Sequence, residues 1–338
     1  MMRLPLPFLA LSFLAAANVV QAQDSCPAAP APVVSLAFES RYAGSGDARA
    51  TLNEEVEAET EAALKPLDDF IRDLATDLDQ MMEAKPEARK RRANCIIGQM
   101  AEWARAGALS DMGSETTRLT IGSRLAGFAI IAGKAMFYST DYTGLEDIRA
   151  WLSRRMEAQM RFWEDAPPGA ASGNLRAWAG LAAASTAALT QDVVMQSWAV
   201  WSTAYVLCSA NEDGSLPQEM TRGKYALHYQ LYAMAPLATA VLVLERQGVS
   251  LKDRCDNALD RAAAFTLSDL ANGSKTEAIT GQVQSFFDGT HTLDDFQLAW
   301  LEPYILLSGN REAREMANER RPLSFSKLGG NQTLLWKP

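Results

Sequence analysis

Between positions 222 and 232 the chain reads RGKYALHYQLY. Wound as a helix, Tyr225, His228 and Tyr232 fall at i, i+3 and i+7, on one face. Phenol and imidazole are groups that enzymes use to move protons, and a histidine beside a tyrosine can act as its proton partner. Arg222 and Lys224 lie close by in the sequence. The same spacing also describes an aromatic core stripe of Tyr225, Tyr229 and Tyr232, with His228 as a satisfied polar neighbour. A second stretch, GNLRAWAG at 173–180, places Asn174, Arg176 and Trp178 at the front of a helix. Arg176 there can swing toward a carboxylate or lie at the surface as an ordinary cation. His228 and His291 are the two histidines of the chain, and no Cys-x-x-Cys or Cys/His spacing suggests zinc. No metal or cofactor is implied.

The elements that must position these residues are helical almost throughout. Apolar residues recur with helical period near 53–82, 88–107, 117–137, 144–163, 175–189, 193–209, 222–247, 253–271 and 293–307. Ser, Thr, Asp, Asn, Pro or Gly punctuates most gaps, most plainly in DAPPGAASGN (165–174) and SANEDGSLPQ (209–218). Residues 23–38, with Pro27, Pro30 and Pro32, read as an extended lead-in. The tail differs, because two short apolar runs flank Leu328-Gly329-Gly330-Asn331 and suggest a small hairpin. Paired helices of about 20 residues suggest an α/α toroid or another multi-helical globule.

The chain has 338 residues and a formal charge of −9. That balance argues against a nucleic-acid binder, and a polyanionic substrate requires a local basic groove. Residues 1–22 start with Arg3, continue through an apolar run and end Val20-Gln21-Ala22, the pattern of a cleaved signal peptide. Pro5 and Pro7 interrupt the run, which is short for a spanning helix, and no later segment reads as apolar enough to span. Residues 23–338 then form a single domain, exported to the periplasm with no stable membrane insertion. Export permits disulfides. Of the three pairings open to Cys26, Cys95, Cys208 and Cys255, Cys26–Cys95 with Cys208–Cys255 is the expected one; the first ties the lead-in to a helix.

Five dispersed stretches resemble the alginate lyase family of periplasmic poly(β-D-mannuronate) lyases: FESRYAGSGDARATLNEEVE (38–57), GNLRAWAG, DGSLPQEMTRGKYALHYQLYAMAPLA (213–238), LAWLEPY (298–304) and KLGGNQTLLWKP (327–338). Their order and spacing agree from about residue 36 to the end. The resemblance implies an all-α, incomplete (α/α) toroid with a deep cleft for a linear polysaccharide and a short C-terminal hairpin. It also implies a lyase that cuts 4-linked uronates by β-elimination. Such a reaction removes the C5 proton and breaks the C4–oxygen bond. It needs a base, an acid for the leaving oxygen, and donors that neutralise the C6 carboxylate.

Carried over residue by residue, the resemblance is partial. Of the family's Asn-Asn-His-x-Tyr-Trp motif, Asn174 and Trp178 are kept, while Gly173, Leu175 and Ala177 replace the first Asn, the His and the Tyr. The catalytic Tyr falls on Tyr232, and the Arg seven residues before it, which favours that tyrosine's ionised form, falls on Tyr225. Asn174, Tyr232 and His228 are therefore the catalytic candidates, with His228 standing in for the lost His. Arg41, Tyr42, Arg176, Trp178, Arg222 and Tyr225 are the substrate-binding candidates. Arg41 and Tyr42 fall on the family's lid segment, where Gly44, Ser45 and Gly46 give mobility; the plain reading is a linker before a helix capped by Thr51 or Asn53. Trp198, Trp201 and Trp300 can stack on sugars but at helical spacing are more often core. Glu219 reads as a helix-start carboxylate or a buried partner for an arginine, with no catalytic role.

The leading expectation is thus a periplasmic lyase acting on an acidic polysaccharide. The alternative is a catalytically impaired polysaccharide-binding protein of the same fold, working beside a polymer synthesis or export complex. A sugar hydrolase would need two carboxylates across the cleft, and no such pair stands out.

Overall fold

The computed structural model describes residues 26–44, 49 and 51–337, so the predicted leader at 1–22, and Ser45 and Gly46, lie outside the described residues. The lead-in is extended. It forms β1 (Ser35–Leu36), parallel to β2 (Asp111–Met112), and is fastened by the Cys26–Cys95 disulfide and by Trp103, whose indole donates to the Pro30 carbonyl at 2.8 Å. The helices follow: α1 (Glu54–Glu83), α2 (Pro86–Arg105), α3 (Glu115–Thr120), α4 (Gly122–Ala135), α5 (Tyr142–Glu164), α6 (Pro168–Ala171), α7 (Asn174–Thr190) and α8 (Val193–Leu207). Then come α9 (Pro217–Met220), α10 (Ala226–Arg246), α11 (Arg254–Asp269), α12 (Ser274–Thr280), α13 (Leu301–Ser308) and α14 (Arg311–Arg320). Polar caps begin several of them. Asn53, Ser114, Asp141, Asp192 and Asn310 each accept a first-turn N–H and so satisfy donors a helix start leaves open.

Helix α7 is the hub of an all-α, incomplete (α/α) toroid, with α4, α8 and α10 packed around it. Its run AGLAAASTAA supplies small side chains that let backbones approach. A Cβ on Gly122 of α4 would sit 2.9 Å from the Ala179 nitrogen, and one on Gly180 would sit 3.0 Å from Thr203 Oγ1. Around this hub lies a continuous apolar core that includes Trp103, Phe128, Trp151 and Trp300, all essentially buried. Burial of this kind is the main favourable term in folding.

Several expected boundaries shift. The helix predicted over 117–137 breaks at Ile121, where Gly122 brings α4 onto α7. The stretch 222–247 opens with a 3-10 turn, Gly223–Tyr225, before α10. By length and composition Gly223–Arg246 is apolar enough to cross a membrane, which corrects the sequence reading, but 78% of its most apolar window is buried in the fold. The stretch 253–271 starts with three left-handed residues, Cys255, Asp256 and Asn257 (φ 52, 58 and 54). Arg261 donates to the Cys255 and Asp256 carbonyls of that turn, and Cys255 is bonded to Cys208 as expected. The stretch 293–307 divides into a 3-10 turn, Asp295–Leu298, and α13.

The C-terminal hairpin is present with a different centre. β3 (Ser324–Phe325) pairs antiparallel with β4 (Gly330–Asn331) around the 3-10 turn Ser326–Leu328, and the last apolar run becomes a short helix, α15 (Gln332–Leu335). Gly329 and Gly330 take φ of 91° and 116°, which only glycine adopts easily.

Candidate functional site

A cavity of about 940 Å³ opens on one face of the toroid. Its walls come from the lead-in (Phe38–Tyr42), α1, the α3/α4 corner, the start of α7, α10 and the hairpin turn. Charges of both signs line it: Arg41, Arg49, Arg72, Arg124, Arg222 and Lys327 on one side of the balance, and Glu39, Asp68, Asp79, Glu115 and Glu219 on the other. Among the candidates, Asn174, Tyr232, His228, Arg41, Tyr42, Trp178 and Arg222 face this cavity.

Two candidates do not. Arg176, one residue past Leu175, is turned by the helix to the other side of α7 and is 2% exposed. Its guanidinium lies 4.2 Å from the Trp201 ring centre, among Trp163, Trp198 and Tyr205, and donates to Ser202 Oγ at 3.3 Å. It is neither a cleft ligand nor an ordinary surface cation. Tyr225 closes the 3-10 turn ahead of α10, and its ring meets His291 edge-on at 5.5 Å instead of lining the cleft. Because the turn is 3-10 and not α, Tyr225 does not continue the α10 face of His228 and Tyr232.

One end of the cleft is an arginine–tyrosine cluster. The Arg222 guanidinium sits 3.8 Å from the Tyr229 ring centre and 5.2 Å from that of Tyr42. The Tyr42 and Tyr229 hydroxyls share a short hydrogen bond. Tyr42 is held in place by pairing of residues 41–43 with 51–53: Ala43 N–H donates to Thr51 and Asn53 N–H to Arg41. Asn53 is the residue that caps α1. Burial raises the Tyr42 phenol, but Arg41, the Tyr229 hydrogen bond and Arg222 together carry it below its ordinary value. Burial and the neighbouring Tyr42 push Tyr229 up, against the pull of Arg222 and Arg41. Two phenols in one hydrogen bond do not ionise together, so the pair holds one readily removed proton. Tyr229 was read only as part of a core stripe. Arg222 and Tyr229 are themselves seven residues apart, the spacing the resemblance had placed on Tyr225 and Tyr232.

Tyr232 lies deeper. Its ring packs on Trp178 at 5.4 Å, and burial raises its phenol, although Arg124 and a hydrogen bond with Ser123 pull the other way. Beside it Arg124, 6% exposed, holds Asp68 with two parallel bonds of 2.9 and 2.7 Å. Lys327 of the hairpin turn also faces this end. Burial and the Arg124 charge lower its ammonium to about 7. None of these three residues was singled out from the sequence.

Asn174 is fixed by Glu219. Its backbone N–H donates to one carboxylate oxygen at 2.7 Å and its side-chain amide to the other at 2.9 Å, while its own Oδ1 is buried without a hydrogen bond. Two donors on two oxygens fit the ionised carboxylate. Burial outweighs them and raises Glu219 to about 7. The side chain of Leu175 joins an apolar wall with Leu119, Trp163 and Ala170, so nothing at this position can carry a proton. His228 accepts from Gln297 Nε2 at 3.3 Å, and Gln297 is oriented by its own carbonyl accepting from Asp294. That leaves the imidazole proton on Nε2. Burial, His291 and the two arginines lower His228 to about 4, so the ring is neutral near pH 7.

Comparisons with known proteins agree with this architecture. A family profile described as "Alginate lyase" matches residues 125–276. Alginate lyases of Pseudomonas paraeruginosa and Pseudomonas aeruginosa are each 30% identical over 317 residues, covering 91% of this chain and 84% of the relative. The alginate lyase of Cobetia marina is 28% identical over 323 residues, covering 93% and 84%. Among solved structures, alginate lyase A1-III in complex with a tetrasaccharide superposes with a TM-score of 0.78 at 24% identity, over 92% of this chain and 86% of that one. The alginate lyase A1-III of Sphingomonas species A1 gives 0.71 at 23%, with the same coverage. These likenesses establish the same fold.

Proposed function

Because the chain belongs to the alginate lyase family, whose members are polysaccharide lyases, we propose that it cleaves a uronate-containing, acidic polysaccharide by β-elimination in this cleft. The observation that carries the reading is the cluster of Arg222, Tyr229 and Tyr42, where a hydrogen-bonded pair of phenols sits against Arg222 and Arg41 inside the cleft. One phenolate of the pair takes the C5 proton. The electron pair left behind forms the C4–C5 double bond as the C4–oxygen bond breaks. The leaving oxygen then takes a proton from the neighbouring phenol, so the pair ends with the proton count it began with. Arg222 and Arg41 stabilise the phenolate and the charge that grows on the C6 carboxylate. Asn174, held by Glu219, adds a fixed amide beside them.

In this reading Tyr229 is the tyrosine of the family's Arg–Tyr spacing and Arg222 its arginine. Tyr232 serves as a wall of the sugar site with Trp178. His228, neutral and with its proton on Nε2, is suited to donate a hydrogen bond and not to act as the base. The Arg124, Asp68 and Lys327 group supports binding of the acidic polymer further along the groove. Export to the periplasm belongs to the same proposal, supported by the leader-like start and by the Cys26–Cys95 and Cys208–Cys255 bonds, which require an oxidising compartment.

Eliminative cleavage creates an unsaturated uronate that absorbs in the ultraviolet. Purified protein tested on polymannuronate, polyguluronate, polyglucuronate and hyaluronan should give absorbance growth on at least one of them, and Tyr229→Phe should abolish it. The loss of the motif's His at Leu175 is the observation that favours the second reading, a binding protein without turnover. Retention on an acidic polymer with no absorbance growth on any would establish that reading instead.

A further inference from the structure

The outward face of α8 carries no charge. Its sequence, VVMQSWAVWSTAYVL, contains no Asp, Glu, Lys or Arg, whereas a surface helix usually covers its outer face with charged side chains. Val193, Val194, Trp201 and Tyr205 are 71, 67, 53 and 46% exposed. The Trp201 and Tyr205 rings, one helical turn apart, have centroids 5.6 Å apart and planes inclined by only 33°. Beneath them lies Arg176, a full positive charge 4.2 Å from the Trp201 centre. Among the described residues it has no carboxylate partner. Its hydrogen bond goes to the neutral Ser202, and its Nε is buried with none. An isolated buried cation is costly, and the proton affinity of this one is lowered by burial.

We propose that Trp201 and Tyr205, backed by Arg176, form a second binding site for an acidic polysaccharide, outside the catalytic cleft. Three observations converge on that ligand. Rigid aromatic faces half in solvent suit the flat C–H face of a pyranose ring and lose little entropy on binding. An exposed aromatic patch without charges marks an interaction surface. The uncancelled guanidinium under it gives the patch a positive potential, which selects a uronate over a neutral sugar and disfavours a second copy of this apolar face carrying the same charge. The polymer would bind by stacking on the platform with its carboxylates drawn toward Arg176, while another part of the same chain enters the cleft. The inference rests on the reading of the substrate as an acidic polysaccharide but does not need the cleft to be active.

The test is affinity electrophoresis of the full chain through gels containing polymannuronate, polyguluronate, polyglucuronate, hyaluronan or neutral dextran. It is run in the Tyr229→Phe background, so that turnover plays no part. Retardation by at least one acidic polymer and none by dextran is expected. Adding Trp201→Ala and Tyr205→Ala should weaken retention roughly ten-fold, the scale of one or two aromatic contacts. Tyr205→Ala alone, at a half-exposed position that leaves Trp201 over Arg176, should weaken it several-fold. Equal retention of the parent and double variant overturns the proposal, as does equal retention by dextran. A wild-type dimer in sedimentation that the double variant converts to monomer also overturns it, since the face would then be covered by a second copy. Because retention is read without turnover, failure here leaves the absorbance assay of the cleft unaffected, and failure of that assay leaves this one interpretable.

Discussion

Two arginines in this protein are packed in aromatic rings, and the rings differ. Arg222 lies against Tyr42 and Tyr229, whose hydroxyls meet. Arg176 lies among Trp163, Trp198 and Trp201, with Tyr205 at the edge. Both gain cation–π attraction. A phenol beside a cation also becomes easier to ionise, whereas an indole has no proton to give at any ordinary pH. The same cation therefore adjoins two hydrogen-bonded phenols in one place and, in the other, three indoles with the single phenol of Tyr205. Position in the fold separates them further, since the first opens into a cleft lined by charges of both signs and the second onto an uncharged outer face.

The sharpest way to break this contrast is at the proton. Tyr229→Phe keeps the ring under Arg222 and removes the hydroxyl, and turnover in the ultraviolet assay should fall by about 10²- to 10⁴-fold. Arg222→Met should cost about 10²- to 10³-fold and should move the acidic limb of the rate profile to higher pH, because the Tyr42–Tyr229 pair loses a cation that favours its phenolate. An unchanged profile would separate Arg222 from proton transfer. Leu175→His tests the other departure from the family motif. With the neighbouring apolar wall intact it should raise kcat on the preferred polymer about ten-fold or more, and no gain would mean that the Tyr42–Tyr229 cluster already meets the need.

At the outer cage the expected effect is on stability. Arg176→Met loses the cation–π contact but also relieves the cost of burying the charge, so the urea-unfolding free energy should change by no more than about 1 kcal/mol. The smallest effect concerns Glu219. Its native value of about 7 lies above the usual 4.5, so the folded chain keeps a proton that the unfolded chain releases. The stability it contributes is present below about 4.5 and is lost as pH rises through about 7. Between pH 5 and pH 8 the melting temperature should therefore drop less in Glu219→Gln than in the parent.

Periodicity made the helices legible, and with them the all-α fold, because a buried stripe leaves a local record at every third or fourth residue. It was the resemblance, and not the period, that placed α10 and the start of α7 on the cleft. Periodicity could not say which tyrosine of the α10 stripe meets Tyr42, 187 residues away; the fold brings Tyr229 to it. A spacing of seven fits both Arg222/Tyr229 and the Tyr225/Tyr232 register of the resemblance, and the 3-10 turn at Gly223–Tyr225 turns Tyr225 away from the cleft. Arg124, Asp68 and Lys327 went unread for the same reason, coming from three distant segments with no shared motif. Arg176 was misplaced because each residue on a helix rotates a side chain by about 100°, and the two steps from Asn174 carry it from the cleft side to the far side.

Gly173 ties two neighbouring positions together. A Cβ there would meet Gln218 Cγ at 2.8 Å and Glu219 Oε1 at 2.9 Å, so any larger residue at 173 makes both side chains give way. Glu219 cannot do so without loosening its hold on the backbone and side-chain amides of Asn174. The missing side chain at 173 and the anchored amide at 174 are therefore one packing arrangement, and a change at either is felt at the other.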